Sequence, residues 1–438
     1  MPPRLLYADA RGNIFDHPKL FLVGSQGGLL RPVEDIDCIP LPEGSEIFLL
    51  PGRLPVGRDG GGKFVTLEQD QVDGGLVSAV AAFMAPAHTS LFSAAYATQP
   101  GAPRLPLFAY TALGFSWGKM VAAGIRVDPD ARQDQANFNR PKRVEDNARK
   151  LLKRFPRNRL AGHLVSCALT SCCPAARNLM LGRWEAPLPI AQACNAHCLG
   201  CISLQPDGIV PPTQQRLTFT PSAAEVAEIG CFHLENARQA MVSFGQGCEG
   251  EPLTDGQLLL DSVRLMRSRF PRATINLNSN GSQPEIMEAL MAAGLSSARI
   301  SLNSLLRERH AAYYRPDGWS LDDALACLRV VKEKGGFTSL NLLSLPGVND
   351  QEEERQALIR IIEKGWVDFI QWRNLNIDPE YYLQALNIKT KEDAPKPMGI
   401  AELITALKRR FPKLGHGYFN PRLEGRTDLT SSPAQDER

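Results

Sequence analysis

The second half of the chain alternates between short apolar runs and longer amphipathic runs. The short runs are bounded by polar residues or glycine, as expected of buried strands, and they lie at Leu188–Gln192, Ala240–Phe244, Thr274–Asn278, Ala298–Asn303, Thr338–Leu345 and Phe369–Asn374. Between them, apolar residues recur at helical spacing in Ala223–Ala237, Asp255–Arg269, Pro284–Ala293, Leu321–Lys334 and Gln351–Lys364. This alternation predicts βα units on a parallel sheet. Six units fall short of the eight that close a complete barrel, so we expect an α/β fold with a partial, TIM-like (β/α)6 barrel.

The remaining segments differ in composition from this barrel and indicate domain boundaries. Residues 1–135 are rich in Pro and Gly turn signals that interrupt short β-prone runs, which predicts an irregular, mostly β accessory domain. We expect a basic helical connector at 136–184, the barrel core at 185–380, a helical extension at 381–422 and a disordered tail at 423–438.

Charge and apolar length narrow the classes of function. The 49 Lys and Arg residues nearly balance the 47 Asp and Glu residues, so the chain as a whole lacks the basic excess of a protein that binds nucleic acid or anionic membranes. The N-terminal residues lack the pattern of a secretory signal, and no uninterrupted apolar run reaches the roughly 18 residues that a membrane span needs. We therefore expect a cytoplasmic protein without a membrane partner.

One local exception to this charge balance is the segment Arg140–Leu160, which carries nine Lys or Arg residues against two acidic residues. Its apolar residues fall on one helical face, and they are Val144, Ala148, Leu151, Leu152 and Phe155. The pattern favours a connecting helix whose charges face water. The alternative is a docking surface for an acidic partner, either an electron-donor protein or RNA.

Three cysteines stand close together at Cys194, Cys198 and Cys201. The chain has ten cysteines and no secretory signal, so its thiols are expected to be reduced, and a cluster of them indicates metal binding or catalysis. Zinc normally takes four protein ligands, and His197 would have to fold back into the same small loop to serve as the fourth. A [4Fe–4S] cluster held by three cysteines instead leaves one iron open to a small molecule. The pattern favours the cluster over zinc.

The spacing C-x3-C-x2-C, placed after the first strand of a βα series, resembles the radical S-adenosylmethionine (radical SAM) superfamily, and the resemblance spans Glu185–Asn376. It implies that the open iron chelates the amino and carboxylate groups of SAM. One electron would then split SAM into methionine and a 5′-deoxyadenosyl radical, which would abstract hydrogen from a substrate that the sequence does not identify. The implied cofactors are a [4Fe–4S] cluster and SAM.

Further segments at the ends of the predicted strands resemble the SAM-binding segments of the family. The residues that the resemblance implies for SAM binding are Gly250, Glu251, Pro252, Asn278, Asn280, Ser301 and Asn303, and the turn Leu345–Asp350 resembles the adenine-side turn. Gln371 and Arg373 share one face of the sixth strand, where they are candidates for contacting the substrate or SAM. The alternative is that they satisfy buried backbone groups or pair with a glutamate near Gly250.

Two positions depart from the family pattern. Glu249 stands where a glycine is usual, and Gly200 stands where a bulky residue packs by the adenine. We expect Leu199 or Ile202 to take over that contact.

The resemblance also implies a low-potential electron donor of the flavodoxin or ferredoxin type and sensitivity to oxygen. The alternative hypothesis is a non-catalytic iron–sulfur protein for electron transfer or sensing, but such a protein would not need the strand-end segments. Cys167, Cys172 and Cys173, together with another cysteine, are candidates for an auxiliary cluster. Buried core thiols are favoured because adjacent cysteines rarely share one cluster and free cysteines are often buried.

Overall fold

Two β-sheets and a helical segment between them form the part of the chain that the computed structural model describes, residues 2–70, 74–205, 208–389 and 396–423. The strands of the first sheet are β1 (Arg4–Ala8), β2 (Ile14–Gln26), β3 (Leu29–Pro32), β4 (Cys38–Pro40), β5 (Glu46–Leu50), β6 (Arg53–Arg58), β7 (Phe64–Thr66), β8 (Ser78–Phe83), β9 (His88–Ser90), β10 (Ser93–Ala94), β11 (Tyr96–Thr98), β12 (Leu113–Ser116) and β13 (Lys119–Arg126). Neighbouring strands are antiparallel, and the main path runs β11-β6-β2-β1-β12-β13-β4. The expected mostly β N-terminal region is thus confirmed.

The second sheet is parallel and follows the chain in strict sequence order, with helices between its strands. Its strands are β14 (Arg183–Pro187), β15 (Arg238–Phe244), β16 (Thr274–Ser279), β17 (Ser297–Leu302), β18 (Phe337–Ser344), β19 (Phe369–Asn374) and β20 (Gly415–Gly417). The helices of the chain are α1 (Pro141–Arg154), α2 (Arg159–Leu169), α3 (Pro174–Leu181), α4 (Ala223–Asn236), α5 (Gly256–Arg269), α6 (Pro284–Ala292), α7 (Arg307–Tyr314), α8 (Leu321–Glu333), α9 (Glu352–Glu363), α10 (Pro379–Ala385) and α11 (Ile400–Arg410). This arrangement confirms the partial barrel, and the five predicted helices begin and end within one residue of the observed ones.

The first predicted strand was placed too late in the chain. The ladder with β15 is formed by β14, whereas the apolar run that begins at Leu188 continues past the strand end into the core. Its backbone groups are bonded outside a regular ladder, because Ile190 and Ala191 both donate to the Glu249 carboxylate. The residues from Leu188 onward are therefore apolar because they are buried, although they do not form a strand.

The C-terminal extension, 381–422, was predicted to be helical, but it also contributes a seventh parallel strand. β20 pairs with β19 in the register Phe369↔Gly415. With three residues, two of them glycines, it gives no detectable strand pattern in the sequence. The predicted tail, 423–438, lies outside the described residues except for Leu423.

The basic segment is broken into two helices rather than one. α1 ends before Phe155, Pro156 interrupts the helical pattern, and α2 begins at Arg159. Val144, Ala148 and Leu151 are buried as predicted, but Leu152 is 39% exposed because it falls off the buried face. The charged face of α1 remains on the surface.

The N-terminal sheet packs directly on the end of β19. Asn374 of β19 accepts hydrogen bonds from the Ser90 backbone and the Thr89 hydroxyl, and it donates to the carbonyl of His88. One apolar core runs without interruption from the first sheet through α1–α3 into the barrel. Among the described residues, no single helix is long and apolar enough to cross a membrane, although α2 and α3 would pass as a pair bent by 112°.

Candidate functional site

The three motif cysteines lie on an irregular loop after β14, here called the Cys loop (residues 194–201). The end of α7 holds one side of it, because the backbone N–H of His197 donates to Tyr314 over 2.9 Å and that of Leu199 donates to Tyr313 over 3.0 Å. The side chain of His197 is exposed, whereas the three thiols are half-buried. Among the described residues, His197 does not belong to a set of three or more ligand atoms that all lie within 4.8 Å of one another.

Asn195 fixes the Cys loop to the segment that follows β16. Its side-chain nitrogen donates to the Ser282 hydroxyl and its side-chain oxygen accepts from Asn280, both over 2.9 Å. The Trp319 indole donates to its carbonyl over 2.7 Å. On the opposite side, Asn376 beyond β19 donates to the carbonyl of Gly200 over 2.9 Å. Strand ends from across the barrel thus meet at this loop.

Gly200 is explained by what surrounds it. A Cβ at this position would lie 2.7 Å from the Asn376 side-chain oxygen and 2.8 Å from the Tyr313 hydroxyl, closer than real Cβ contacts. The space that a bulky residue would need is taken by these groups from other parts of the chain. Leu199 is buried and Ile202 packs towards Gly247, and their expected contact with the adenine stays a prediction.

The segment Glu249–Pro252, here called the GEP loop, is bonded to the chain just before Cys194. The backbone N–H of Gly250 donates to Ala191 over 2.8 Å, and that of Glu251 donates to Ala193 over 2.9 Å. A Cβ on Gly250 would overlap the carbonyl oxygen of Ala193, which is backbone and cannot move aside easily. Only glycine allows this close approach.

Gly250→Ala is accordingly expected to displace the chain before Cys194. We expect the variant to bind less than half the iron and sulfide of the wild type after anaerobic reconstitution, because the thiols no longer share one fixed geometry. Gly162→Ala is the matched control, since a Cβ there meets no atom within 4 Å. Equal iron content in Gly250→Ala and wild type would refute this role of the glycine.

Two buried carboxylates organise the GEP loop. Glu251 accepts from the Ser279 hydroxyl over 2.6 Å and from the Asn280 backbone over 2.8 Å, so it joins the ends of β15 and β16. Glu249 accepts from three backbone N–H groups, at residues 190, 191 and 246. Burial raises the pKa of both carboxyl groups, that of Glu249 to about 7. Glu249 therefore has a positioning role that a glycine could not supply.

The other residues implied for SAM binding occupy strand ends around the same opening. Asn278 is buried, and its side-chain nitrogen donates to the carbonyl of Phe244. This amide group is therefore already hydrogen-bonded within the barrel. The Ser301 hydroxyl accepts from Asn341 over 3.2 Å. Asn303 donates to the Tyr382 hydroxyl, but its buried side-chain oxygen has no hydrogen-bond partner among the described residues.

The donor set of the Cys loop fits a cluster better than a single ion. Burial raises the pKa of Cys194 to about 11 and also raises that of Cys198, and charges on the neighbouring thiols add to both shifts. The three sulfurs do not form a set whose members all lie within 4.8 Å of one another, whereas a set elsewhere in the described residues does. A multi-iron cluster spans wider sulfur separations than a single tetrahedral ion.

A polar layer crosses the barrel below this opening. Gln371 is fully buried, accepts from Arg299 over 3.1 Å and donates to Asn420 over 2.8 Å. Gln371 therefore pairs with these residues and not with a glutamate near Gly250. Burial and the charge of Arg373 lower the pKa of Arg299 to about 9.

Arg373 differs from Gln371 in having an unused donor. Its guanidinium lies 4.0 Å from the centroid of the Tyr418 ring, and its buried Nε has no hydrogen-bond partner among the described residues. The Nε of Arg299 and the side-chain oxygen of Asn341 are likewise buried without a hydrogen-bond partner among the described residues. Two neighbouring guanidinium groups with unused donors favour an anionic ligand in the barrel.

Several residues that hold the site were not predicted from the sequence. Tyr313, Tyr314 and Trp319 anchor the Cys loop, but no sequence pattern connects this aromatic group to the cysteines. Arg299 lies inside the barrel, and its alternation with Ser297 and Ser301 along β17 was the available signal.

Comparison with known proteins finds similarity over the barrel segment. Residues 188–359 match the family model described as Radical SAM superfamily. The chain is similar to GTP 3′,8-cyclase from Ectopseudomonas mendocina (strain ymp), with 32% identity over 188 residues that cover 42% of this chain and 52% of that protein. It is also similar to the FeMo cofactor biosynthesis protein NifB from Chlorobaculum tepidum, with 22% identity over 257 residues that cover 52% of this chain and 55% of that protein. The chain thus spans about half the length of these relatives.

A solved structure, that of methylornithine synthase (PylB), is 15% identical and matches 62% of this chain and 76% of its own, with a TM-score of 0.37. A score of this size supports no conclusion about function.

Proposed function

We propose that this protein is a radical SAM enzyme whose [4Fe–4S] cluster is held by Cys194, Cys198 and Cys201, because residues 188–359 match the family model of the radical SAM superfamily. Members of this superfamily bind such a cluster together with SAM. When bound, these cofactors supply hydrogen-atom abstraction that follows the one-electron cleavage of SAM. The observation that carries the proposal is the Cys loop, where three half-buried thiols are held by residues from the ends of several barrel strands.

The chain's own residues would bind and orient SAM around this loop. Asn303 and Asn376 each have a buried side-chain oxygen without a partner among the described residues. Such oxygens would accept hydrogen bonds from the ammonium or hydroxyl groups of SAM. Gly250 and Glu251 would act by fixing the backbone beside Cys194, since their N–H groups are already bonded within the protein. Tyr313 and Tyr314, both buried, would exclude water from the loop.

The proposal is tested with anaerobically reconstituted protein, dithionite and SAM. We expect 5′-deoxyadenosine and methionine to accumulate in equal amounts. A reducible cluster that neither binds nor cleaves SAM would instead support the alternative hypothesis of an electron-transfer or sensing protein. Bound zinc at the Cys loop would contradict both.

We extend the proposal to the class of substrate. Arg299 and Arg373 place two positive charges in the barrel, and both have a buried Nε without a partner among the described residues. The negative charge of Glu185 partly offsets the lowering of the Arg299 pKa. The Glu185 carboxylate also accepts a hydrogen bond from Asn420. An anionic substrate, carrying a phosphate or carboxylate group, would complete this site.

Arg373→Ala is therefore expected to weaken anion binding without removing the cluster. With inorganic pyrophosphate as the probe, we expect the dissociation constant to rise by at least about tenfold, since one charge-assisted hydrogen bond contributes about 1.5–3 kcal/mol. Calorimetric titration measures it, with Arg329→Ala as the control because Arg329 is 53% exposed on α8. Unchanged pyrophosphate binding in Arg373→Ala would overturn the anionic substrate.

We further propose a low-potential electron donor of the flavodoxin or ferredoxin type, a cytoplasmic location and sensitivity to oxygen. The surface of α1 is a candidate docking site for this donor, because its basic residues Lys142, Arg143 and Lys150 are exposed. An acidic donor protein would be attracted to this face.

A further inference from the structure

A second group of metal-binding side chains lies apart from the Cys loop. His163 and Cys167 are one helical turn apart on α2, so they share a face. Cys248, in the loop after β15, meets that face. The ligand atoms of these three residues all lie within 4.8 Å of one another, and the Sγ of Cys167 is 3.4 Å from the Nε2 of His163.

Cys173 stands beside this trio. It immediately precedes α3, and its backbone N–H donates to the carbonyl of Cys167 over 3.0 Å, which closes the α2–α3 connection around the group. Its thiol is not one of the three ligand atoms that all lie within 4.8 Å of one another. By contrast, Cys172 is exposed and does not belong to the group.

The chemistry and the spacing of the His163, Cys167 and Cys248 donors fit one tetrahedral ion. Zinc bonds to thiolate at about 2.3 Å and to imidazole at about 2.0–2.1 Å, which puts neighbouring ligand atoms at separations below 4.8 Å. Two thiols and one imidazole supply three of the four ligands of a tetrahedral zinc ion, and a third thiol would close the site to substrate. Cys167 and Cys248 are 5% and 2% exposed, as expected of a site inside the protein.

We propose that His163, Cys167 and Cys248 bind a single structural zinc ion, and that a change in the side-chain rotamer of Cys173 supplies the fourth ligand. Binding would release the thiol protons, and it would tie the helical connector to the barrel. Zinc binding would also fix the start of the GEP loop, because Cys248 directly precedes Glu249. This inference does not depend on the proposed function, since it concerns other cysteines and another metal.

The test is the metal content of the full chain, purified anaerobically without added metal. Inductively coupled plasma mass spectrometry is expected to give one zinc ion per chain in the wild type and in Cys194→Ala, and none in Cys167→Ala. Equal zinc in wild type and Cys167→Ala would overturn the proposal. So would loss of iron with no change in zinc in Cys167→Ala, which would indicate an auxiliary cluster, or a Cys167–Cys248 disulfide found by mass spectrometry in the wild type.

A measurement on the wild type covers the case in which Cys167→Ala fails to fold. Zinc is removed with a chelator and replaced by Co²⁺, which reports its ligands by absorption. We expect thiolate-to-cobalt charge-transfer bands together with the visible bands of tetrahedral cobalt, both abolished by one equivalent of Zn²⁺. Cobalt without thiolate bands would contradict the proposed ligands.

Discussion

Cys198→Ala is expected to reduce SAM cleavage to the uncatalysed background. The variant removes one of three cluster ligands, so the loss should exceed the roughly 10–100-fold cost of removing a residue that only supports a metal ligand. The rate of 5′-deoxyadenosine formation and the iron and sulfide per chain measure the effect. Cys198 packs against the apolar core, and backbone hydrogen bonds from His197 and Leu199 to Tyr314 and Tyr313 hold the Cys loop on either side of it, so the fold should survive without the thiol.

Cys231→Ala is the matched control for this experiment. Cys231 is likewise a free thiol, but it is buried on α4, in the helical layer outside the sheet. We expect it to keep the wild-type rate and iron content. If Cys198→Ala retained SAM cleavage while its cluster was intact, the assignment of this ligand would be wrong.

Arg53→Ala is expected to destabilise the protein by about 3–5 kcal/mol, because it leaves Asp378 as an uncompensated buried charge. The Arg53 guanidinium lies 3.1 Å from the Asp378 carboxylate, and the two side chains are 3% and 4% exposed. Asp378 also accepts from the backbone of Leu105 over 3.0 Å. The pair joins the N-terminal sheet to the barrel just beyond β19, so the two parts should separate more easily in the variant.

Urea unfolding followed by circular dichroism measures this change in the free energy of unfolding. The control is Arg149→Ala, whose ion pair with Asp146 is on the surface with the arginine 67% exposed, and which should cost less than about 1 kcal/mol. Equal destabilisation by the two substitutions would show that the buried pair does not hold the domains together.

The barrel was predictable because its signals are local. Each amphipathic run sits between buried strands, and Gly294, Gly335 and Gly365 have the positive φ that ends a helix in the left-handed region. The first strand was predicted too late in the chain because the residues from Leu188 onward are buried and apolar like a strand, although they do not pair with β15. β20 escaped detection because its pairing with β19 depends on a contact distant in sequence, as does the pairing of β1 with β12 in the N-terminal sheet.

The candidate site was predictable only in part, for the same reason. The cysteine spacing and the GEP segment are visible in the sequence. That Tyr313 and Asn376 fill the space beside Gly200, or that Cys248 meets the helix bearing His163, depends on tertiary packing. Short motifs can be recognised in the sequence, whereas the residues that contact them are known only from the folded structure.

The measurement that tests the central claim most directly is the electron paramagnetic resonance spectrum of the dithionite-reduced protein, recorded before and after addition of SAM. If Cys194, Cys198 and Cys201 hold a [4Fe–4S] cluster with one open iron, SAM should shift the g-values of the reduced cluster, because it enters the coordination of that iron. A spectrum that is unchanged by saturating SAM, in protein with a full complement of iron and sulfide, would contradict the account.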